Sequence, residues 1–450
     1  MPTTTPLGFR RQVPGSARAE VGRMGERDAV VVRIDPERGL GALATSDGDT
    51  LCEAAALALR QRLPLVLHVS SSGVDIAGGI EALAAWGRAA RALTACSGVV
   101  PVLMSVDGPA VSGPALLLGL ADVVVMTSRS HAFVSGPAMV GQVTGVSIDI
   151  ERLGGTAVHA QRTGVAALEA RDLDHAVELL GEVLGYLPDH TDAQPDAWPT
   201  DDPADRACPE LREVIPASAS GSYDVRRILQ TVADQDTFLE LRPRYATQMV
   251  TGLGRLAGRS VGLVATQPQS MAGTIDIAAS HKCARFVNFC DAFGLPVITF
   301  VDTPGFLPGK DLEWRGMIRH GAQLAFAYAE ASVPRICVLL RKAYGGAYIV
   351  MDSRTMGGDL CLAWPSAEVA VMGARGAVQI LHRRAPAEQM AALEDDYSEA
   401  YLTPWIAAER GLVDAVIDPA DTRAAVAAAL AQVVSKRERV VGRKHANGPL

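Results

Sequence analysis

The strongest constraint on this chain is a pattern that it carries twice. Leu63-Pro64-Leu65-Val66-Leu67-His68-Val69 and Leu295-Pro296-Val297-Ile298-Thr299-Phe300-Val301 are apolar runs of strand type, each led by a proline. Each proline is followed nine residues later by a glycine, Gly73 or Gly305. A second proline stands 37 residues beyond the first in one half, Pro101, and 38 beyond in the other, Pro334. Eleven residues past those come Ser112-Gly113 and Gly345-Gly346. Both halves then close on a glycine after a strand, Gly136 and Gly373. Alternating α/β chains share punctuation in general, but matched spacings describe one unit built twice, offset by about 232 residues. At 450 residues the chain also exceeds one ordinary core.

Between these landmarks strands alternate with helices. Strands are read at 29–34, 63–69, 100–106, 122–127 and 261–266, and helices at 51–61, 79–95, 171–187 and 223–234. A long amphipathic helix at 276–293 puts Ala279, Cys283, Phe286, Phe289 and Cys290 on one face. This is the pattern of βαβ units around a mostly parallel sheet, an α/β fold. Residues 1–28 mix Thr, Pro, Arg and Gly without an apolar core segment and read as a mobile tail. Residues 188–216 are dense in Pro and Asp and read as an exposed linker, giving domains at 29–200 and 201–450.

Composition narrows the function. A net charge of −8 argues against nucleic acid and against an anionic membrane surface. The best apolar stretch, 115–126, is short and carries Asp122, so it reads as a buried strand with its lead-in. Seven cysteines lie scattered with no C-x-x-C pair, as core thiols in a reducing cytoplasm would. No HExxH, GxSxG or Walker loop is present, and no metal is expected.

The stretch that carries chemistry is Arg341-Lys342-Ala343-Tyr344-Gly345-Gly346-Ala347-Tyr348-Ile349. It follows the buried run 336–340. A strand that ends on paired glycines lets a ligand approach the backbone, and the next N–H groups, opening a helix, can meet a developing negative charge. Two readings fit: an oxyanion hole, or a tight strand–helix turn.

These residues resemble a known family. Phe300 to Gly309, Ile318 to Ala322, Arg341 to Tyr348, Ala363 to Glu368 and Val371 to Ala377 are similar to the carboxyltransferase (β) subunits of biotin-dependent acyl-CoA carboxylases. The propionyl-CoA and acetyl-CoA carboxylase type is nearest. Asp201 to Arg206, Asp276 to Phe293, Phe133 to Gly145 and Leu153 to Gly155 share the likeness, which spans roughly residues 60–420. The resemblance implies two tandem crotonase-like domains, an acyl-CoA side in the first and a biotin side in the second. It implies a ring of six subunits and two partners, a biotin carrier protein bearing the cofactor and a biotin carboxylase. It also implies chemistry by backbone: a ureido anion takes the α-proton of a coenzyme A thioester, and the resulting enolate captures carbon dioxide. Two oxyanions form, and each needs preorganised N–H donors. Carried onto this sequence, Gly345, Gly346 and Ala347 would hold the biotin oxygen and Ser112 and Gly113 the thioester oxygen. Tyr344, Tyr348, Ile349, Gly73 and Val74 would line the substrates.

The first half departs from the family pattern. Where the family reads Gly-Pro-Cys-Ala-Gly-Gly-Ala, this chain has Gly108-Pro109-Ala110-Val111-Ser112-Gly113-Pro114. Ser112 lacks glycine's freedom and Pro114 has no N–H. Two further readings arise from that departure. One is a decarboxylase or a carboxyltransferase with an unusual acceptor; the other is a non-catalytic scaffold in a mixed ring. Of the remaining polar residues, His320 reads as structural, Lys282 as a solvated helix-face lysine, and Ile349 equally as pocket lining or helix core.

Overall fold

The computed structural model describes residues 5–6, 15–195, 197–218, 221–436, 438, 442 and 445–449. The chain forms two compact units, Met1–Pro195 with Arg242–Tyr245, and Asp196–Leu241 with Ala246–Leu450. Each is built on its own sheet.

In the first unit the sheet runs in the order Thr5–Pro6, Ala17–Met24, Arg27–Ile34, Leu65–Ser71, Val102–Val111, Val123–Thr127, Leu168–Ala170. Pairing is parallel from Arg27–Ile34 onward and antiparallel before it. His131–Phe133 pairs with the far end of Val102–Val111. In the second unit the order is Leu239–Leu241, Met249–Leu256, Arg259–Thr266, Val297–Thr303, Arg335–Tyr344, Leu360–Ala363, Ala415–Val416. Glu368–Ala370 takes the place of His131–Phe133. The two sheets share even their irregularities: the register slips between Val69 and Ser71 in one and between Val301 and Thr303 in the other. The duplication is the one that the spacings imply, and the tandem crotonase-like architecture is the one that the resemblance implies.

The prolines set the strand starts for a local reason. Proline cannot donate to a ladder but can accept. Pro64 and Pro101 accept from Val30 and Leu65 at 2.9 and 2.8 Å, and Pro296 and Pro334 accept from Gly262 and Val297 at 2.8 and 2.9 Å. In the first unit one sheet face carries Val30, Val32, Leu65, Leu67, Val102 and Met104 under the helices Thr45–Gln61 and Gly79–Cys96. In the second, a core gathers Ile298, Phe300, Ile336, Val338 and Leu340 with the helices Arg226–Val232 and Thr422–Val433.

Four expectations are corrected. Residues 17–24 of the expected tail form a strand that pairs with Arg27–Ile34 and buries Ala17, Ala19 and Met24. Its charged residues and its glycine mask the alternation. Asp47 ties that strand to the first helix, accepting from Ala17 N–H at 2.7 Å and Ala44 N–H at 2.8 Å, which starts the helix at Thr45 rather than 51. The expected linker is not wholly exposed: Cys208, Leu211 and Val214 are buried in the second core, three anchors too sparse to show a period. Lys282 is not solvated. It is 3% exposed and its ammonium donates to the Met249 carbonyl at 2.6 Å. Six of the seven cysteines are buried free thiols. Among the described residues no helix is long and apolar enough to cross a membrane.

Candidate active site

In the second unit the strand Arg335–Tyr344 passes straight into the helix Gly345–Val350. The junction needs a positive φ, and Gly345 supplies +59°. A Cβ there would also lie 3.0 Å from the Val371 carbonyl. Gly346 has a different role. A Cβ at that position would meet only the Phe306 ring, at 3.8 Å, so the backbone is approachable from that side. The first amides of a helix have no carbonyl four residues back to bond. Gly346 and Ala347 therefore open the helix at the strand end with N–H groups that have no intrahelical acceptor.

The surroundings hold this row still. Asp302, 1% exposed, accepts from the Lys342 N–H at 3.0 Å, from Arg341 Nε at 3.0 Å and from the Tyr223 hydroxyl at 2.9 Å. Arg341 also donates to the Gly221 carbonyl at 2.8 Å. Charge-assisted bonds of this kind are about twice as strong as neutral ones. Tyr344 donates its hydroxyl to Glu368, and burial together with that carboxylate pushes its pKa far up, so the phenol stays protonated. Tyr348 and Ala347 are buried, while Ile349 is 37% exposed on the turn's open side. His320 bonds Gln323 at 3.1 Å, a structural role.

The first unit repeats the junction with different residues. Val102–Val111 runs into the helix Gly113–Leu118 through Ser112, at φ 60° and ψ −120°. Ser112 thus occupies the position of Gly345 and bears a strain that glycine would not. Its N–H is committed, donating to the Phe133 carbonyl at 2.9 Å. A Cβ on Gly113 would come within 2.7 Å of the Trp86 indole, so glycine is obligatory there. Pro114 is buried and offers no N–H. Gly73 sits opposite at φ 128°, where a Cβ would lie 3.6 Å from the Val111 carbonyl and 3.9 Å from Ser112 Cβ. Its carbonyl accepts from Leu43 at 2.8 Å, and Val74 bridges to Leu43, as Phe306 does to Ile275.

The structure therefore gathers Tyr344, Gly345, Gly346, Ala347, Tyr348 and Ile349 at one junction, and Gly73, Val74, Ser112 and Gly113 at the other. Four contributors were not singled out individually from sequence: Asp302, Tyr223, Glu368 and Trp86. Trp86 shares a helix face with the buried Ala82, Ala85 and Ala89, a spacing too ordinary to stand out.

Residues 4–448 match the model of the carboxyl transferase domain family. The chain is 42% identical over 429 residues to the propionyl-CoA carboxylase beta chain of Saccharopolyspora erythraea, covering 91% of this chain and 79% of that one. It is 40% identical over 416 residues to the methylmalonyl-CoA carboxyltransferase 12S subunit of Propionibacterium freudenreichii subsp. shermanii, with coverage of 91% and 79%. Among solved structures it matches the transcarboxylase 12S hexamer with methylmalonyl-coenzyme A and methylmalonic acid bound. There the TM-score is 0.94 and the identity 38%, over 97% of this chain and 85% of that one.

The strain at Ser112 can be measured. Ser112→Gly should stabilise the protein by about 1 kcal/mol, roughly 2–4 °C in melting temperature for a unit of this size. An unchanged or lowered melting temperature would show that the serine is not strained.

Proposed function

This chain belongs to the carboxyl transferase domain family, and we propose that it is the carboxyltransferase subunit of a biotin-dependent acyl-CoA carboxylase. In this reading it moves a carboxyl group from carboxybiotin to the α carbon of an acetyl- or propionyl-like coenzyme A thioester. Carboxybiotin, carried by a separate protein, supplies the activated carboxyl group. The observation that carries the reading is the Gly345 junction: backbone donors at a strand end, approachable beside Gly346 and braced by Asp302.

The roles derive from the chemistry open to each group. The Gly346 and Ala347 amides hold the biotin ureido oxygen as negative charge develops on it, and Gly345 makes the turn that aims them. They need no reorganisation, because the Asp302–Arg341 pair already fixes the strand end. The protonated Tyr344 stays on Glu368 and takes no proton. Tyr348 and Ile349 bound the second-unit pocket, and Gly73 and Val74 the first-unit one. On the acyl side the Gly113 amide holds the thioester oxygen, with Ser112 N–H engaged elsewhere and Pro114 contributing none. Partners in this reading are the biotin carrier, a biotin carboxylase, and further copies of the chain in a hexamer or mixed ring, in the cytoplasm. The hexamer named for the transcarboxylase 12S structure supports the self-association.

Three measurements test this. Purified protein given a biotinylated carrier, a biotin carboxylase, ATP, bicarbonate and a panel of acyl-CoAs should carboxylate a short acyl chain. Gly346→Val should abolish that transfer while leaving the melting temperature near wild type, since its side chain fills the approach and meets little else. Transfer at the wild-type rate by folded Gly346→Val would remove the biotin-side assignment. Release of carbon dioxide from malonyl-CoA or methylmalonyl-CoA without carrier would instead favour the decarboxylase.

Light scattering at micromolar concentration should give a multiple of the 47.3 kDa chain mass; a single-chain mass would contradict the ring. Pro114→Ala combined with Ser112→Gly should return a donor and its freedom, raising kcat about tenfold or more. A fast wild-type rate with no gain would mean that the acyl-side hole is already complete.

A further inference from the structure

The two strand–helix junctions differ in what covers the second residue of the turn. Gly346 and Gly113 hold the same place, each one residue after the positive φ. A Cβ on Gly346 would meet only the Phe306 ring, at 3.8 Å. A Cβ on Gly113 would lie 2.7 Å from both Cδ1 and Nε1 of Trp86 and 3.1 Å from its Cε2. The first junction is therefore closed on the side where the second is open. The covering rings also come from different elements. Phe306 stands in the loop that bridges to Ile275, where the first unit has the smaller Val74 bridging to Leu43. Trp86 comes instead from the helix Gly79–Cys96.

Packing fixes the indole in that place. Ala82, Ala85 and Ala89 are fully buried on one face of its helix. A Cβ on Gly48 would come 2.6 Å from Ala85 Cβ and 2.7 Å from the Ala85 carbonyl oxygen. The helices Thr45–Gln61 and Gly79–Cys96 thus meet at backbone distance, which anchors the base of the neighbouring Trp86. The indole itself packs against the edge of the core and stays partly exposed, so a ligand at the turn can touch it. Its surroundings are apolar. Leu83, one turn before Trp86, is 51% exposed, and Leu116, one turn after Gly113, is 50% exposed.

We infer that Trp86 sets the length of the acyl group at the first junction: the indole leaves room for two or three acyl carbons and excludes a longer chain. The inference rests on the assignment of the thioester oxygen to the Gly113 amide. An oxygen held by an amide sits about 2.9 Å from the nitrogen. The acyl carbons follow within two or three bonds, in the same few ångströms that the indole fills. A steric block of this kind discriminates by what it rejects. With the indole gone, a longer chain would reach the Leu83 and Leu116 surface, where each added methylene finds apolar contact. Trp86 Nε1 has no hydrogen-bond partner among the described residues, so Trp86→Phe trims the ring without breaking a bond.

The test compares acetyl-CoA with octanoyl-CoA on the full-length protein and on folded Trp86→Ala and Trp86→Phe. Equilibrium dialysis of each radiolabelled ester, without carrier, reads affinity; the carboxyl-transfer assay reads kcat/KM. The wild type should favour acetyl-CoA by about a hundredfold in kcat/KM. Trp86→Ala should move the octanoyl-to-acetyl ratio at least about thirtyfold toward octanoyl, in affinity and in kcat/KM, with Trp86→Phe between. Coenzyme A should displace the octanoyl-CoA that Trp86→Ala gains. A purely structural role would lower both esters together and leave the ratio as it was. An unchanged affinity ratio in both folded variants would overturn the inference, whatever the transfer assay gives. A shifted affinity ratio with no transfer by the wild type would sustain it and remove the carboxyltransferase reading alone.

Discussion

Each half of this protein depends on a single backbone constraint: a buried parallel strand must become a helix within one residue. Only a positive φ makes that turn, and the two junctions adopt nearly the same value, +59° at Gly345 and +60° at Ser112. The turn has a functional consequence. It leaves the first amides of a short helix without internal acceptors and sets them at the end of a strand whose neighbours fix its position. A reaction that builds negative charge on oxygen can use such donors directly, with no acid or base side chain.

The two junctions are braced differently, and the difference is electrostatic. In the second unit a buried aspartate at the end of one strand grips the next through its backbone and its arginine. In the first unit the corresponding positions are Ser70 and Gly108, so no ion pair spans the strands there. Gly108 sits at φ +103°, and a Cβ would come 2.9 Å from Ser70 Oγ. The first junction has thus exchanged a charged clamp for close backbone packing. It has also accepted a strained serine and lost an amide at Pro114. Duplication supplies two copies of the turn, and the copies are free to be tuned apart because each carries its own sheet and core.

The same divergence shows on the sheet face away from the Thr45–Gln61 and Gly79–Cys96 helices. Hydrophobic residues in the second unit pack under the helix Arg226–Val232, whereas the first unit places His68, Ser105 and Asp107 at those register positions. Polar groups in such places are tolerated only when they are bonded or solvated. Ser105 satisfies one side of His68.

The sequence by itself determined the duplication, the strand starts and the place of both junctions. Proline's missing N–H and glycine's access to positive φ act within a few residues, so Pro64, Pro101, Pro296, Pro334 and Gly345 announce their roles wherever the chain goes. The family motifs are legible for the same reason. What only the tertiary structure decided rests on residues far apart in sequence. Lys282 looks like a surface lysine until the Met249 carbonyl closes over it. Ala17–Met24 looks like tail until Arg27–Ile34 pairs with it. Trp86 becomes part of the first-unit turn only because two elements bring its indole against Gly113. Partners of this kind are chosen by packing and register, which no local spacing encodes.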